Sequence, residues 1–79
     1  MHIVYLLRST KDPSRVYVGV SARMRNRLDQ HNAGECKSTA QLRPWKVDVA
    51  VCFRDEKKAH AFERYLKTGS GRAFSKRHL

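Results

Sequence analysis

The sequence predicts one α/β domain of the α+β kind, a three-stranded antiparallel sheet flanked by helices in the order β-β-α-β-α-α. Three observations carry this. Two short runs rich in β-branched and aromatic residues, His2–Leu7 and Arg15–Val20, are joined by a polar segment containing Asp12-Pro13, the pattern of a hairpin with a longer loop. Apolar residues then recur at helical steps, Met24 with Leu28 and Ala59 with Phe62 and Leu66. Finally, a chain of 79 residues buries only roughly 60 to 65% of its unfolded surface, too little to divide between two cores. Residues 1–79 therefore make a single domain.

The first strand, His2–Leu7, is apolar on both faces, with Ile3, Tyr5 and Leu7 on one side and Val4 and Leu6 on the other. That double pattern marks it as the most buried strand. In the second strand, Tyr17, Val18 and Gly19 come back past Ile3 and Tyr5. The first helix is expected from near Ser21, whose hydroxyl suits a cap, to Asn32-Ala33-Gly34, where Gly34 suits a left-handed terminus. Glu35–Pro44 reads as an irregular basic loop with enough small and polar residues to lie along a phosphate backbone. Trp45–Phe53 is a third strand, with Val47, Val49 and Val51 expected on one face. Asp55 caps a second helix from Glu56 to about Thr68, which Gly69-Ser70-Gly71 is expected to end. Arg72–Leu79 forms a last helical segment anchored by Phe74.

Charge narrows the partner. Seventeen Lys and Arg face seven Asp and Glu, a net charge of +10 with a pI near 10.3, above the value of roughly 9 that flags nucleic-acid binders. Arg23, Arg25, Lys37, Arg43 and Lys46 are the expected backbone contacts. Cys36 and Cys52 have neither the number nor the spacing of a disulfide framework or zinc site, and read as free thiols. No signal-peptide pattern and no apolar run of membrane-span length occurs, so a cytoplasmic protein without a membrane partner is expected.

Several motifs then stand in order. Ile3-Val4-Tyr5 and Tyr17-Val18-Gly19 lie at the interval of the two tripeptides that name the GIY-YIG nuclease superfamily, and Arg27-Leu28, His31 and Glu63 follow at compatible spacing. The chain resembles that superfamily over essentially its whole length. It looks most like small stand-alone proteins related to the nuclease domain of bacterial excision-repair enzymes, which share Thr39-Ala40, Arg43-Pro44-Trp45-Lys46 and the stretch Lys67 to Phe74. Ile3 replaces the first glycine of the name. Val20 stands where repair-enzyme members carry a lysine, leaving Arg23 or Lys46 to supply such a charge.

The resemblance implies a DNA endonuclease using one Mg2+ or Mn2+ and leaving a 5′-phosphate. By the same resemblance Tyr17 takes a proton from the attacking water, Tyr5 orients water or phosphate beside it, Gly19 is a structural member of the motif, and Glu63 is both catalytic and the metal ligand. Physical chemistry is consistent with each role. A planar, permanently charged guanidinium suits Arg27 to clamping two phosphate oxygens, and His31, four residues on, shares its helix face and titrates where a proton shuttle is useful. One carboxylate is compatible with Mg2+, which retains several waters. Two rivals use the same basic surface without turnover, an inactive nucleic-acid-binding module and a partner that positions another DNA-repair protein. Glu63 also has a plain alternative, an ion pair with Lys67 four residues along the helix.

Overall fold

The computed structural model describes all residues, 1–79. Its elements are β1 (His2–Ser9), β2 (Val16–Ser21), α1 (Met24–Asn32), α2 (Lys37–Ala40), β3 (Trp45–Phe53), α3 (Glu56–Leu66) and α4 (Gly69–His78). The expected order is present, with the single turn of α2 added between α1 and β3. The strands form one antiparallel sheet in the order β2-β1-β3. A strand apolar on both faces takes the centre because only there are both faces covered.

Alternate residues of β1 feed two cores. Val4 and Leu6 pack with Ala59 and Leu66 of α3, joined by Val18, Val20, Val49, Phe53, Phe62 and Phe74. Tyr5 and Leu7 pack on the other face with Trp45, joined by Tyr17, Met24 and Leu28. The face carrying Val4 thus receives α3, and the face carrying Tyr5 receives α1. No helix is long and apolar enough to cross a membrane.

Four local expectations are corrected. First, Val47 does not share a face with Val49 and Val51. Leu6 pairs with Val49 but Leu7 pairs with Val47, so Asp48 is an extra residue in β3, and such a bulge reverses the alternation beyond it. Val47 and Trp45 both come to the Tyr5 face, where Trp45 enters the core and Val47 stays 40% exposed, and Arg8 Nε donates to Asp48 Oδ2 at 2.9 Å. Second, α1 starts at Met24, because Ser21 pairs with Ile3 in the sheet. The Ser21 hydroxyl accepts from the Arg23 amide at 2.9 Å instead of capping the helix. Third, part of the expected loop is helical, and Thr39 within it is buried. Fourth, α3 stops at Leu66 and the glycines belong to the next helix. Thr68 caps α4 by accepting from the Gly71 amide at 3.0 Å. A Cβ at Gly71 would come within 1.8 Å of the Tyr65 carbonyl oxygen, so that glycine serves close helix approach rather than helix ending. The left-handed expectation is met at Gly34, where φ is +81°.

Candidate active site

The Tyr5 side of the sheet holds a buried polar cluster. Leu7 pairs with Tyr17 and Tyr5 pairs with Gly19, which puts both tyrosines on one face with ring centroids 6.4 Å apart. Only glycine fits between them, since a Cβ at Gly19 would lie 2.5 Å from the Tyr5 hydroxyl and 3.1 Å from Tyr17 Cε2. The first turn of α1 docks Met24 and the second Leu28 onto this core, and their phase brings Arg27 and His31 in from the same helix.

His31 is fully buried. Its Nε2 lies 3.4 Å from the Tyr5 hydroxyl and its Nδ1 lies 2.8 Å from Thr39 Oγ1. Tyr17 covers the ring at a centroid distance of 4.8 Å. Two contacts seat the helix end that carries it. Asn32 exchanges hydrogen bonds with the backbone of Trp45, accepting from its amide and donating to its carbonyl, and Trp45 Nε1 donates to the Thr39 carbonyl at 2.9 Å.

Burial and Arg27 set the electrostatics. Loss of water raises the Tyr5 hydroxyl above its ordinary pKa, and the hydrogen bond from the Arg27 guanidinium opposes part of that rise. Arg27 is held still more firmly in its charged form by the same contact with Tyr5. His31 is pushed below its ordinary value, first by burial and then by the charge of Arg27, so the neutral imidazole is favoured. Arg27 Nη1 also donates to Gln30 Oε1 at 2.7 Å. Beside this pair opens a groove of about 390 Å3 lined by Ser21, Ala22, Arg23, Asn26, Arg27 and Gln30.

The structure therefore brings Tyr5, Tyr17, Arg27 and His31 together on the Tyr5 face. Glu63 stands on α3, which packs against the Val4 face, and its carboxylate accepts from Lys67 Nζ at 2.9 Å. The groups that act electrostatically on Arg27 are Tyr5, Cys36 and Tyr17. Glu63 and Arg27 thus stand on helices that cover opposite faces of the sheet. Val20, at the repair enzymes' lysine position, is committed to the apolar core under α3. Arg23, Arg25, Lys37, Arg43 and Lys46 are all exposed.

Thr39, Asn32 and Trp45 are members of the site that sequence reasoning did not assign to it. Thr39 lies eight residues beyond His31, a separation with no helical or strand meaning, so nothing in the sequence pattern marks it as a histidine partner. No three His, Cys, Asp or Glu side chains converge into a metal-binding group. Glu63, 17% exposed, offers one anionic ligand, a donor set that fits an ion which keeps most of its waters.

The GIY-YIG catalytic domain model matches residues 1–77. The chain belongs to this nuclease family. Among its relatives are the structure-specific endonuclease subunits slx1 of Talaromyces marneffei and Talaromyces stipitatus, each 46% identical over 52 residues. The match covers 60% of this chain and 13% of each relative, so the chain spans about an eighth of their length. These relatives are fungal, whereas the sequence motifs had suggested bacterial excision-repair proteins. No solved structure matches.

Proposed function

We propose that this domain is a metal-dependent DNA endonuclease whose working face is the one that joins Tyr17, Tyr5, His31 and Arg27 to the arginine-lined groove. The observation that carries the reading is the buried Tyr5–His31 pair beside Arg27, an arrangement costly in desolvation and without value to a simple binding surface. Arg27 and Arg23 at the groove hold the scissile phosphate, Arg27 by a planar fork that also meets charge building on the phosphate oxygens. Tyr17, only partly buried, is the tyrosine that reaches the attacking water and takes its proton. Tyr5 is 1% exposed and orients Arg27 and His31 from beneath.

Glu63 is the ligand for Mg2+ or Mn2+, which when bound supplies charge neutralisation and a more acidic water. Because β2 is an edge strand and α3 packs against it, Glu63 approaches the phosphate around that edge while Arg27 approaches from the other face. Glu63 would hold the ion with the carboxylate that now accepts from Lys67. The exposed Arg25, Lys37, Arg43 and Lys46 follow the flanking DNA backbone.

Two observations favour a binding module without turnover: Val20 sits in the apolar core and Glu63 is occupied by Lys67. Incubation with labelled single-stranded, duplex, nicked and branched DNA, in Mg2+, Mn2+ or chelator, separates the two. Cleavage that appears with metal and stops with chelator is expected. Binding without cleavage of any form in either metal establishes the alternative. Branched forms are included because the fungal relatives are named structure-specific.

A further inference from the structure

We infer that Thr39 is the positioning residue that fixes the tautomer of His31, so that the Nε2 lone pair faces the Tyr5 hydroxyl. The inference deepens the proposed nuclease site and follows from counting donors and acceptors. The Arg27 guanidinium beside Tyr5 has only donors to offer, so it cannot take the Tyr5 hydrogen. Tyr5 is buried, and the acceptor that meets its own hydrogen is His31 Nε2, 3.4 Å away. Nε2 is then bare, and a neutral imidazole must carry its hydrogen on Nδ1. That hydrogen points at Thr39 Oγ1, 2.8 Å away, and the Thr39 hydroxyl in turn donates to the Cys36 carbonyl at 3.3 Å.

Every hydrogen in this directed chain, Tyr5 to His31 to Thr39 to Cys36, has an acceptor, and no buried side-chain polar atom is left without a partner. The opposite wiring fails the count. If Thr39 donated to Nδ1, Nε2–H would donate to the Tyr5 oxygen, and the buried Tyr5 hydrogen would face only Arg27 and Nε2–H, both donors. An orphaned buried hydroxyl bears the whole desolvation cost of its unmade bond, which selects the first arrangement. Thr39 is itself buried, 1% exposed, with its carbonyl held by the Trp45 indole and its hydroxyl directed to the Cys36 carbonyl. The groups facing His31 are Tyr5 from β1, Tyr17 from β2, Arg27 from α1 and Thr39 from α2. Among them only Thr39 meets Nδ1.

The chemical consequence is that both rings stay neutral and fixed: the bare Nε2 of His31 accepts the Tyr5 hydrogen, and the Nδ1–H is bonded to Thr39, which holds Tyr5 and His31 in one orientation beside Arg27.

The tautomer is read by long-range 1H–15N correlation of the histidine ring in the protein without DNA or metal, which keeps the result separate from the nuclease reading. Wild-type His31 is expected as Nδ1–H with an unprotonated Nε2. Thr39→Val keeps the shape and removes the acceptor, and should shift His31 toward Nε2–H; Thr39→Ser should preserve the wild-type spectrum. Cleavage should fall by about 10- to 100-fold in Thr39→Val, as when a partner orienting a histidine is lost, and recover in Thr39→Ser with DNA affinity unchanged in both. An Nε2–H tautomer in the wild type overturns the inference, and does so even if Thr39→Val fails to fold. A Thr39→Val spectrum identical to wild type overturns it as well. The expected tautomer in a protein that never cuts DNA leaves the wiring standing and removes the nuclease instead.

Discussion

The two faces of this sheet share one central strand and use it differently. On the face toward α3, Val4 and Leu6 meet Ala59, Leu66 and a set of phenylalanines, Phe53 against Phe62 at 5.5 Å and Phe62 against Phe74 at 6.3 Å. No buried polar side chain belongs to that core. On the face toward α1, the neighbouring residues of β1 meet His31, Thr39 and Arg27, and the buried volume holds a continuous hydrogen-bonded chain. Burying apolar surface stabilises without regard to direction, whereas buried polar groups contribute little net and demand exact partners. Both faces carry an apolar core, but only the α1 face adds buried polar groups held for chemistry. Changes on the two faces should therefore separate activity from folding.

The largest effect is expected from Glu63→Gln. The side chain keeps its shape and loses the charge a divalent ion requires, so cleavage should drop by orders of magnitude while DNA binding holds. Cleavage by Glu63→Gln at the wild-type rate would remove Glu63 from the mechanism and confine the site to the α1 face.

Next comes Leu66→Ala, which empties part of the apolar core. Urea unfolding should show a loss of about 2 to 5 kcal/mol, with the rate of cleavage per folded molecule unchanged. A variant equally stable but slow to cut would contradict the division between the faces.

Acid should act through the polar face. The pKa of His31 is depressed in the folded state, so folding favours the neutral ring. Its contribution is fully present above about pH 6.5, the ordinary histidine value, and is lost as pH falls through the lower folded value. Comparing urea midpoints at pH 7.5 and pH 5 should show the wild type losing more stability than His31→Gln. Equal losses would mean that the ring is not held neutral by its surroundings.

Binding sharpens the contrast further, because basic residues stand on both sides. With about five phosphates neutralised, the slope of log K against log salt should be near −4 to −5. Arg23→Ala or Arg25→Ala, beside the groove, should each reduce the slope by about 1. Lys57→Ala or Lys58→Ala on α3 should leave it alone, and an equal reduction from α3 would place DNA on both faces.

The smallest effect is the stability of Glu63→Gln. The Glu63–Lys67 pair joins positions four apart on α3, with the lysine half exposed, and such pairs are worth about 0.3 to 0.5 kcal/mol. A loss well above 1 kcal/mol would show that the carboxylate is structural.

The sequence by itself determined the sheet and the helices that cover it. Alternation over His2–Leu7 marked a strand buried on both faces, three- and four-residue steps marked α1 and α3, and the composition marked a polyanionic partner; these signals are local, so they survive without knowledge of the fold. The same periodicity placed Arg27 with His31, and the hairpin placed Tyr5 near Tyr17. Only the tertiary structure decided the rest. A one-residue bulge at Asp48 moved Val47 and Trp45 together to the Tyr5 face, where only Trp45 reached the core, and Ser21 joined the sheet because Ile3 lies opposite it. Thr68 capped α4 because α4 packs so close to α3 that Gly71 has no room for a side chain. Thr39 became the partner of His31, and Glu63 fell on the far side of the sheet, for the same reason: both depend on which elements meet across a distance that no repeating pattern along the chain records.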